Sequence, residues 1–458
     1  MSDKTDNNNQ IMDENTNDDL LTTANHEAAN NNDGDEEVAM FQKDHCNFCR
    51  KHESLTGPLM GHDGGAAICY YCSLQVHTAF DRDPKLLEEI SKITKSATAK
   101  YTKTLQYPRQ IYDALSEYIV GQHSAKRALA VAVHNHYKAI TARMMGLNVE
   151  IKKSNVLLIG PTGTGKTRLV EQLANNLNVP LAIADATTLT EAGYVGEDVE
   201  NILLKLYRAA DCDLEATERG IVYIDEIDKI GKSHSNPSIT RDVSGEGVQQ
   251  CLLKILEGTI ANVPMQGGRK HPEAQYHQIN TRNILFIAGG TFAGLEKIIK
   301  KRVAKNAGLG FHTPIDLQKS DTLADDEYRS QVTPDDLEEF GFIPEMIGRF
   351  PKIATLNSLD ENAMMRILQE PKDAIVRQFK AMFEMSEVQL DFEENALREM
   401  ARKALNLKIG ARGLRSVMEN LLEDAQFNID SLVKQKLVIT DRMVRGDDLV
   451  VPLQQQAA

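Results

Sequence analysis

The residues best suited to chemistry in this sequence form a glycine-rich octapeptide, Gly160-Pro161-Thr162-Gly163-Thr164-Gly165-Lys166-Thr167. An apolar run over residues 156–159 precedes it, and residues 168–177 have the pattern of a helix. The glycines allow backbone N–H groups to surround a phosphate, and the helix N-terminus adds the positive end of its dipole. Lys166 is expected to reach the β- and γ-phosphates and the Thr167 hydroxyl to ligate Mg²⁺. Because a strand and a helix flank the octapeptide, the pattern predicts a nucleotide-binding P-loop rather than a plain glycine-rich turn.

Two adjacent carboxylates supply the chemistry that a bound nucleotide needs for hydrolysis. The apolar run Ile221-Val222-Tyr223-Ile224 ends in Asp225-Glu226 and is typical of a buried parallel strand. Asp225 is expected to hold Mg²⁺ beside Thr167, and Glu226 to polarise the attacking water. Two adjacent acids are common on protein surfaces, but beside a P-loop they indicate a hydrolytic site.

Four cysteines have the spacing of a metal site. Cys46 and Cys49 form one C-x-x-C pair, and Cys69 and Cys72 form a second pair, with 19 residues between the pairs. Each pair can present two thiolates, and four thiolates close the tetrahedral shell of Zn²⁺, so the predicted site is structural. A redox role for one pair does not explain the second. Three histidines lie nearby and could substitute as ligands, although solvated surface is the favoured interpretation for them: His45, His52 and His62.

Composition restricts the class of protein. The formal net charge is -14, and residues 1–39 hold eleven acidic residues and one basic residue, so the rest of the chain is only mildly acidic. No large basic block is present, which argues against a nucleic-acid scaffold. No apolar run has the length of a membrane helix and no signal peptide is recognisable, so we expect a cytoplasmic protein. Cys212 and Cys251 are then expected to be small buried hydrophobes.

The pattern of apolar residues predicts several domains. Short apolar strands alternate with helices from Pro108 to Pro351, which indicates an α/β fold with a parallel sheet, and the pattern beyond is mostly helical. The expected organisation is a disordered acidic and Asn-rich tail over 1–42, a zinc-binding module over 43–82, a linker over 83–107, a large domain over 108–351 and a small domain over 352–453.

Two apolar pairs occur where a ligand or substrate is a plausible partner. Ile119-Val120, ahead of the P-loop domain, can flank an adenine ring, although ordinary core packing explains it equally well. Tyr194-Val195 lies between two glycines, and a large apolar pair on a loop usually grips something. From the residues alone, however, a plain β-turn is the favoured interpretation of this second pair.

Other loops carry charge or exposed apolar groups. Arg269-Lys270-His271 is a basic triplet that by itself is typical of a solvated face. Leu309-Gly310-Phe311 places two apolar residues among polar neighbours. Arg349, a lone arginine at the end of the α/β pattern, can reach the nucleotide of a neighbouring subunit.

Together these motifs, over about residues 43 to 450, make the sequence resemble the ClpX family of AAA+ protein unfoldases. The resemblance implies a P-loop AAA+ parallel sheet with helices on both faces, a small mostly helical C-terminal domain and an N-terminal zinc-binding module. It also implies a ring homohexamer that uses ATP, Mg²⁺ and Zn²⁺. Such a ring unfolds tagged or adaptor-delivered proteins through its pore, acts as a chaperone, and feeds substrates to a ClpP-type peptidase.

The resemblance assigns roles to individual residues. Tyr194 and Val195 match the pore loop that grips substrate, the triplet Arg269, Lys270 and His271 matches the pore entrance, and residues 238–248 match a second pore loop. Arg349 matches the arginine finger and Arg412 the sensor-2 arginine. Leu309, Gly310 and Phe311 match the peptidase-docking tripeptide. The family commonly has Ile at its first position, and Leu has the same volume, so docking is expected to persist with altered packing.

Other functions fit this sequence less well. An ATP-dependent nucleic-acid remodeller also combines a P-loop with zinc knuckles, but it needs a basic groove and stacking aromatics, whereas this chain has no Trp. A nucleotide-gated scaffold without turnover does not explain Asp225 and Glu226. The sister unfoldase HslU lacks the four-cysteine module. Neither G-x-S-x-G nor H-E-x-x-H occurs, so no intrinsic peptidase site is expected.

Overall fold

The computed structural model describes residues 45–51, 59–61, 67–69, 72–74, 105–144, 151–190, 197–231, 245–264, 276–307 and 321–450. These residues belong to two units, residues 1–92 and residues 93–458. Within the described ranges, every helix is too short or too polar to cross a membrane.

The first unit contains a short antiparallel hairpin. Its strands are β1 (Leu59–Gly61) and β2 (Ala67–Cys69). The segment before the hairpin turns tightly, because the Arg50 N–H donates to the Cys46 carbonyl at 2.7 Å. The Asn47 N–H donates to a carbonyl of β2 at 2.8 Å and so fixes this turn against the hairpin. Strands of three residues bury little apolar surface, so the hairpin needs a further source of folding energy.

The second unit alternates strands and helices. Its strands are β3 Val156–Ile159, β4 Leu181–Asp185, β5 Leu189–Thr190, β6 Glu197–Asp198, β7 Ile221–Asp225, β8 Ile260–Pro264, β9 Tyr276–Asn280, β10 Leu285–Gly290, β11 Lys352–Thr355, β12 Gln389–Phe392 and β13 Lys436–Ile439. Its α-helices are α1 Pro108–Ser116, α2 His123–Met144, α3 Lys166–Leu177, α4 Asn201–Ala209, α5 Leu214–Thr217, α6 Glu246–Glu257, α7 Leu295–Ala307, α8 Asp321–Arg329, α9 Pro334–Phe340, α10 Pro344–Gly348, α11 Glu361–Gln369, α12 Ile375–Glu384, α13 Glu394–Asn406, α14 Arg412–Phe427 and α15 Asp441–Arg445.

Five of these strands form one sheet in the order β11-β3-β10-β7-β4. Every neighbouring pair in it is parallel. Parallel neighbours need long crossover connections, which the helices provide. The predicted α/β fold with a parallel sheet is therefore confirmed.

Helices cover both faces of this sheet. Successive residues of a strand point to opposite faces, so Leu158 and Tyr223 join one hydrophobic core while Leu157 and Val222 join the other. Residues of α1, α2 and α3 fill the first core. Residues of α4, α6 and α7 fill the second. Burial on both faces explains why β3, β7 and β10 are continuous apolar runs in the sequence.

The sheet extends further along the chain than the sequence indicated. We expected the large domain to end at residue 351, yet β11 pairs in parallel with β3 over residues 352–355. Ala354 and Leu356 are buried in the same core as Leu158. A strand of four residues that begins with an exposed lysine is too short and too polar for its pattern to identify.

The C-terminal part of the second unit folds around its own core. Apolar side chains from successive helices, among them Met364, Phe379, Met400 and Met418, meet there. The first of these helices, α11, begins at a cap in which the Asp360 carboxylate accepts the Ala363 N–H at 2.7 Å. Strands β12 and β13 pair in parallel beside the helices. The expected small, mostly helical domain is present.

Two glycines bring this small domain against the P-loop. Gly163 has φ +75°, and a Cβ there would lie 2.3 Å from the Ile409 carbonyl oxygen. Gly410 has φ +65°, and its Cβ would lie 2.7 Å from the Gly163 Cα. The Ala411 N–H donates to the Gly163 carbonyl at 3.1 Å. The two backbones can approach this closely only because both residues lack side chains.

Replacing Gly410 by alanine is expected to separate the two backbones. The new Cβ would clash with Gly163 and would also strain a left-handed residue, for which strain alone costs about 1–2 kcal/mol. Gly446→Ala is the matched control, because Gly446 has φ +92° but nothing within 4 Å of its Cβ position. Thermal unfolding should show the larger loss of Tm for Gly410→Ala. Equal losses would mean that the contact adds nothing beyond the strain.

Candidate nucleotide site and metal centre

The octapeptide connects β3 to α3 as a loop that curls around its own lysine. Gly165, the residue before α3, has φ +97°, which glycine adopts without strain. The Lys166 ammonium donates to the Gly160 carbonyl at 2.6 Å and to the Pro161 carbonyl at 3.1 Å. The Thr164 hydroxyl also donates to Pro161, at 2.8 Å. Loop carbonyls therefore hold the Lys166 ammonium in place. When a nucleotide binds, its phosphate oxygens would replace these carbonyls as hydrogen-bond acceptors.

The environment of Lys166 makes it ready to bind an anion. Burial, with a smaller contribution from the positive charge of Arg412, lowers the pKa of Lys166 to about 8, while Asp225 and Asp228 oppose the shift. A buried ammonium that has lost much of its hydration gains more from an added negative charge than an exposed one does. A nucleotide phosphate at this position would stabilise the charged lysine.

A direct hydrogen bond joins the two sequence motifs. The Thr167 hydroxyl donates to Asp225 Oδ2 at 3.0 Å, although 58 positions separate the residues. The other carboxylate oxygen, Oδ1, accepts the Tyr223 hydroxyl at 3.1 Å and the Glu226 N–H at 3.0 Å. Mg²⁺ prefers hard oxygen ligands and usually keeps several waters, so a hydroxyl and a carboxylate at this separation fit such an ion.

Glu226 has an unusual backbone. Its φ of 53° and ψ of 33° are left-handed, a conformation that costs free energy for a residue with a side chain. The turn ends β7 and begins the short 3₁₀ helix Ile227–Ile230, and Glu226 lines the same cavity as Thr167. The strained turn keeps the second carboxylate at the cavity instead of continuing the strand.

A cavity of about 550 Å³ is lined by residues 162–167 of the octapeptide and by both acids. Ile119 and Val120 contribute to its wall and are also nearly buried. The structure is therefore compatible with both interpretations of this pair from sequence, contact with an adenine ring and packing in the core. The small domain completes the wall with residues that include Ile375 and Arg412. The volume is in the range of small-molecule and cofactor sites.

A pair of hydrogen bonds that the sequence did not predict lies beside Ile119-Val120. The Gln122 side chain donates to the Asn357 carbonyl at 2.8 Å and accepts the Asn357 N–H at 2.9 Å. Asn357 lies between β11 and α11, where the chain leaves the large domain. Buried Lys126 donates to the Ile119 carbonyl at 3.1 Å and holds the other end of the segment. The cavity wall is thereby tied to the connection between the domains.

A second missed contact lies at the end of β10. Thr291 lines the cavity and donates twice to Asp228, from its N–H at 3.1 Å and from its hydroxyl at 3.0 Å. Asp228 is almost fully buried in the 3₁₀ helix after Glu226. The sequence signal for this contact is Asp228, the third acid in Asp225-Glu226-Ile227-Asp228. Its partner Thr291 lies 63 positions away, so no local pattern connects the two residues.

The two arginines expected at nucleotide sites lie in different places. Arg412 begins α14 and lines the cavity. Arg349 follows α10 and does not line this cavity; its guanidinium forms an ion pair with Glu257 at the end of α6. The Asn155 amide donates to the Arg349 carbonyl at 3.0 Å. Arg349 is therefore held away from the nucleotide cavity of its own chain, with its side chain about half exposed.

In the first unit, the four predicted cysteines form one cluster. The Sγ atoms of Cys46, Cys49, Cys69 and Cys72 all lie within 4.8 Å of one another, and those of Cys49 and Cys69 are 3.9 Å apart. Zn–S bonds of about 2.3 Å in a tetrahedron place sulfurs about 3.8 Å apart, so the cluster fits Zn²⁺. Although burial opposes it, hydrogen bonds from backbone amides lower the pKa of Cys46 to about 6. This shift favours the thiolate that a metal requires.

The prediction that Cys212 and Cys251 are small buried hydrophobes is wrong for Cys212. Cys251 is partly buried on α6, but Cys212 is exposed. Cys212 has φ +63° and lies in the turn after α4, where the helical pattern has already ended.

Several predicted residues lie outside the described ranges. They are Tyr194, Val195, Arg269, Lys270, His271, Leu309, Gly310 and Phe311. Of the expected second pore loop over 238–248, the structure describes residues 245–248, and α6 already begins at Glu246. Their roles stay predictions.

Comparison with known proteins identifies the family. Residues 151–353 match the AAA domain (Cdc48 subfamily), and residues 359–431 match the C-terminal, D2-small domain, of ClpB protein. The ATP-dependent Clp protease ATP-binding subunit ClpX of Treponema denticola is 47% identical over 407 residues, which cover 89% of this chain and 95% of the relative. The same subunit of Borrelia duttonii is 50% identical over 401 residues, which cover 87% of this chain and 90% of the relative.

This similarity extends across both the P-loop domain and the small domain, and it agrees with the parallel sheet, the shared cavity and the cysteine cluster. The chain belongs to the ClpX family of AAA+ ATPases.

Proposed function

We propose that this protein is an ATP-dependent unfoldase and translocase that unfolds tagged or adaptor-delivered proteins through the pore of a homohexamer and feeds them to a ClpP-type peptidase. The observation that carries the proposal is the Thr167–Asp225 contact inside a cavity shared by two domains, in a chain that belongs to the ClpX family. Unfolding without degradation would make it a chaperone as well. No finding favours the nucleic-acid remodeller.

The residues of the cavity suit ATP hydrolysis. The octapeptide and Lys166 would hold the phosphates, Thr167 and Asp225 would hold Mg²⁺, and Ile119 and Val120 would flank the adenine. Bound Mg²⁺ would neutralise charge that develops on the phosphate oxygens. Glu226, whose carboxylate takes no part in the Thr167–Asp225 contact, would orient and polarise the attacking water.

Two arginines would complete the site from different directions. Arg412, on the small domain, would contact the phosphates of its own chain and sense their state. Arg349, held away from its own cavity, would serve as the arginine finger for the nucleotide of the neighbouring subunit. A site completed by the neighbour would make hydrolysis depend on the ring, as the proposed hexamer requires.

The substrate-handling residues follow from the family resemblance. Tyr194 and Val195 would grip polypeptide in the pore, and Arg269, Lys270 and His271 would attract it at the entrance. Leu309, Gly310 and Phe311 would dock on the peptidase. The names of the Treponema and Borrelia relatives, which place them in a Clp protease, support a peptidase partner for this chain. The cytoplasm is the compartment we propose.

The cysteine cluster would hold a structural Zn²⁺. The four thiolates Cys46, Cys49, Cys69 and Cys72 close the coordination shell and leave no position for water, so the ion would stabilise the hairpin rather than react. We propose that the module over residues 43–82 receives substrates or adaptors, ahead of a linker over 83–107, a large domain that includes β11 and a small domain that follows it. The acidic tail over 1–42 has no assigned role.

The decisive experiment measures ATPase and degradation side by side. A tagged, stably folded reporter should be degraded only with ATP and a ClpP-type peptidase. Tyr194→Ala should keep ATP hydrolysis while degradation of folded reporters falls far more than that of unfolded ones, because only the grip is lost. Glu226→Gln is the contrasting variant, and it should bind ATP but lose about 10²-fold or more in turnover.

Two results would count against this proposal. Equal loss of ATPase and unfolding in Tyr194→Ala would point to misfolding rather than to a grip. Degradation of the reporter without any added peptidase would mean that the chain contains a proteolytic site.

The depressed pKa of Lys166 predicts a pH dependence of nucleotide binding. Below about pH 8 the free protein already carries the charged lysine, whereas above it the lysine is neutral and binding must take up a proton. ATP affinity should therefore fall above pH 8, by up to about tenfold per pH unit. Calorimetry in buffers of different ionisation enthalpy should give little uptake at about pH 7.5 and more at about pH 9. Identical uptake at both values, or the same pH dependence in Lys166→Ala, would contradict the assignment.

Loss of one thiolate should release the metal. Cys46→Ser opens the four-cysteine shell, so bound zinc should fall and the hairpin should unfold, because its short strands supply little folding energy of their own. Cys212→Ser is the control, since Cys212 is exposed and outside the cluster. Metal analysis and ATPase assays should show loss of zinc with basal ATPase retained for Cys46→Ser, and no change for the control. Full zinc content in Cys46→Ser would exclude the cluster as the site.

A further inference from the structure

A buried glutamine on α6 connects two segments that the proposed mechanism treats separately. The Gln249 side chain is fully buried. Its Nε2 donates to the Ile230 carbonyl at 2.8 Å and to the Gly341 carbonyl at 3.2 Å, and its Oε1 accepts the Ile343 N–H at 2.9 Å. Both amide hydrogens and the oxygen are thus in use, so the group is well satisfied despite its burial.

The partners of Gln249 flank the two candidate catalytic segments. Ile230 ends the 3₁₀ helix that begins directly after Glu226. Gly341 and Ile343 precede α10, which leads directly to Arg349. One side chain therefore holds the exit of the Glu226 turn and the entrance to the arginine segment.

The remaining contacts of α6 make this connection rigid. Val248 and Leu252, on the same helix, are fully buried in the core that also contains Met346 of α10. At its far end, Glu257 forms the ion pair with Arg349. A helix packed in this way cannot shift one segment without the other, because close-packed interiors transmit displacement.

The backbone of Arg349 has a second anchor. Asn155, which is buried ahead of β3, donates to the Arg349 carbonyl at 3.0 Å and accepts the Phe286 N–H of β10 at 3.3 Å. The arginine segment is thus fixed to the central sheet on one side and to α6 on the other. Gln249 is a side chain that hydrogen-bonds both to the segment before α10 and to the end of the Glu226 turn.

A simpler interpretation is that Gln249 only satisfies three backbone groups that lack partners in helices or strands. Those groups do need partners. Yet that role alone does not require the backbone groups to come from functionally related segments. Gln249 joins the Glu226 turn, which is proposed to serve the chain's own nucleotide, to the Arg349 segment, which is proposed to serve the neighbour's. We propose that Gln249 is a positioning residue that sets the distance between the Glu226 turn and Arg349, so that one subunit's hydrolytic site and the arginine it offers to the next subunit move together. The inference rests on the proposed roles of Glu226 and Arg349.

The test compares two neighbouring glutamines on the full-length protein. Gln249→Met keeps the volume but removes all three hydrogen bonds, and Gln250→Met makes the same change at an exposed position of α6. For Gln249→Met, kcat of ATP hydrolysis should fall by about 10- to 100-fold, the range expected for misplaced catalytic groups, while KM for ATP and the hexamer fraction stay within about twofold. Gln250→Met should match the wild type. Equal kcat for the two variants would overturn the proposal.

A second variant separates positioning from loss of structure. Burial raises the pKa of a carboxyl introduced by Gln249→Glu. When protonated, that carboxyl donates one hydrogen bond and accepts another, but when ionised it cannot donate. The ATPase of this variant relative to wild type should therefore recover as the pH falls from about 8.5 to about 6.5. A pH-independent ratio, together with parallel loss of ATP affinity and Tm in Gln249→Met, would reduce Gln249 to a structural residue and would falsify the positioning role.

Two further variants show which hypothesis has failed. Glu226→Gln and Arg349→Lys are assayed in parallel with the glutamine variants. If both keep wild-type turnover, the roles proposed for Glu226 and Arg349 are wrong whatever Gln249 does. If both lose turnover while Gln249→Met does not, those roles stand and the positioning role is rejected.

Discussion

The carboxyl ends of parallel strands lie at one edge of a sheet, and the nucleotide site of this protein depends on that constraint. Strands β3 and β7 are separated in the sheet only by β10. The loop after β3 and the acids at the end of β7 therefore meet across the end of β10, which brings Thr167 within 3.0 Å of Asp225. A change in strand order would separate the phosphate-binding and metal-binding groups while leaving each motif intact.

For this contact to form, β10, the strand between β3 and β7, must end in residues without side chains. A Cβ at Gly289 would lie 2.2 Å from the Tyr223 hydroxyl, and one at Gly290 would lie 2.6 Å from Asp228 Oδ1. The space that these glycines leave is filled by the polar groups that orient the acids. Tyr223 donates to Asp225, and Thr291 donates to Asp228. The end of β10 is thus a packing surface for the Tyr223 hydroxyl of β7 and for the Asp228 carboxylate of the 3₁₀ helix.

The contact between the two domains has a different physical basis. Ion pairs between them, Arg168 with Asp373 and Glu117 with Lys372, are substantially exposed. Exposed pairs contribute at most about 1 kcal/mol each and weaken with salt. The backbone approach of Gly163 to Gly410 and the paired hydrogen bonds of Gln122 with Asn357 are geometrically specific. The orientation of the two domains therefore depends on close backbone contacts. These contacts lie beside the cavity that would hold the nucleotide.

The sequence by itself determined the chemistry that depends on local spacing. The octapeptide, the two acids and the cysteine pairs were identified because each motif needs particular residue types a few positions apart, and the apolar runs predicted the parallel sheet. Tertiary structure alone showed that Ile119, Val120 and Arg412 border one cavity, that Arg349 is held away from it, and that β11 extends the sheet. It also revealed Gln122, whose partner lies 235 positions away, and Gln249, whose partners lie 19, 92 and 94 positions away. Periodicity records which side chains are buried, but the partner of a buried polar group depends on which distant backbone the fold brings to it, and no local pattern contains that information.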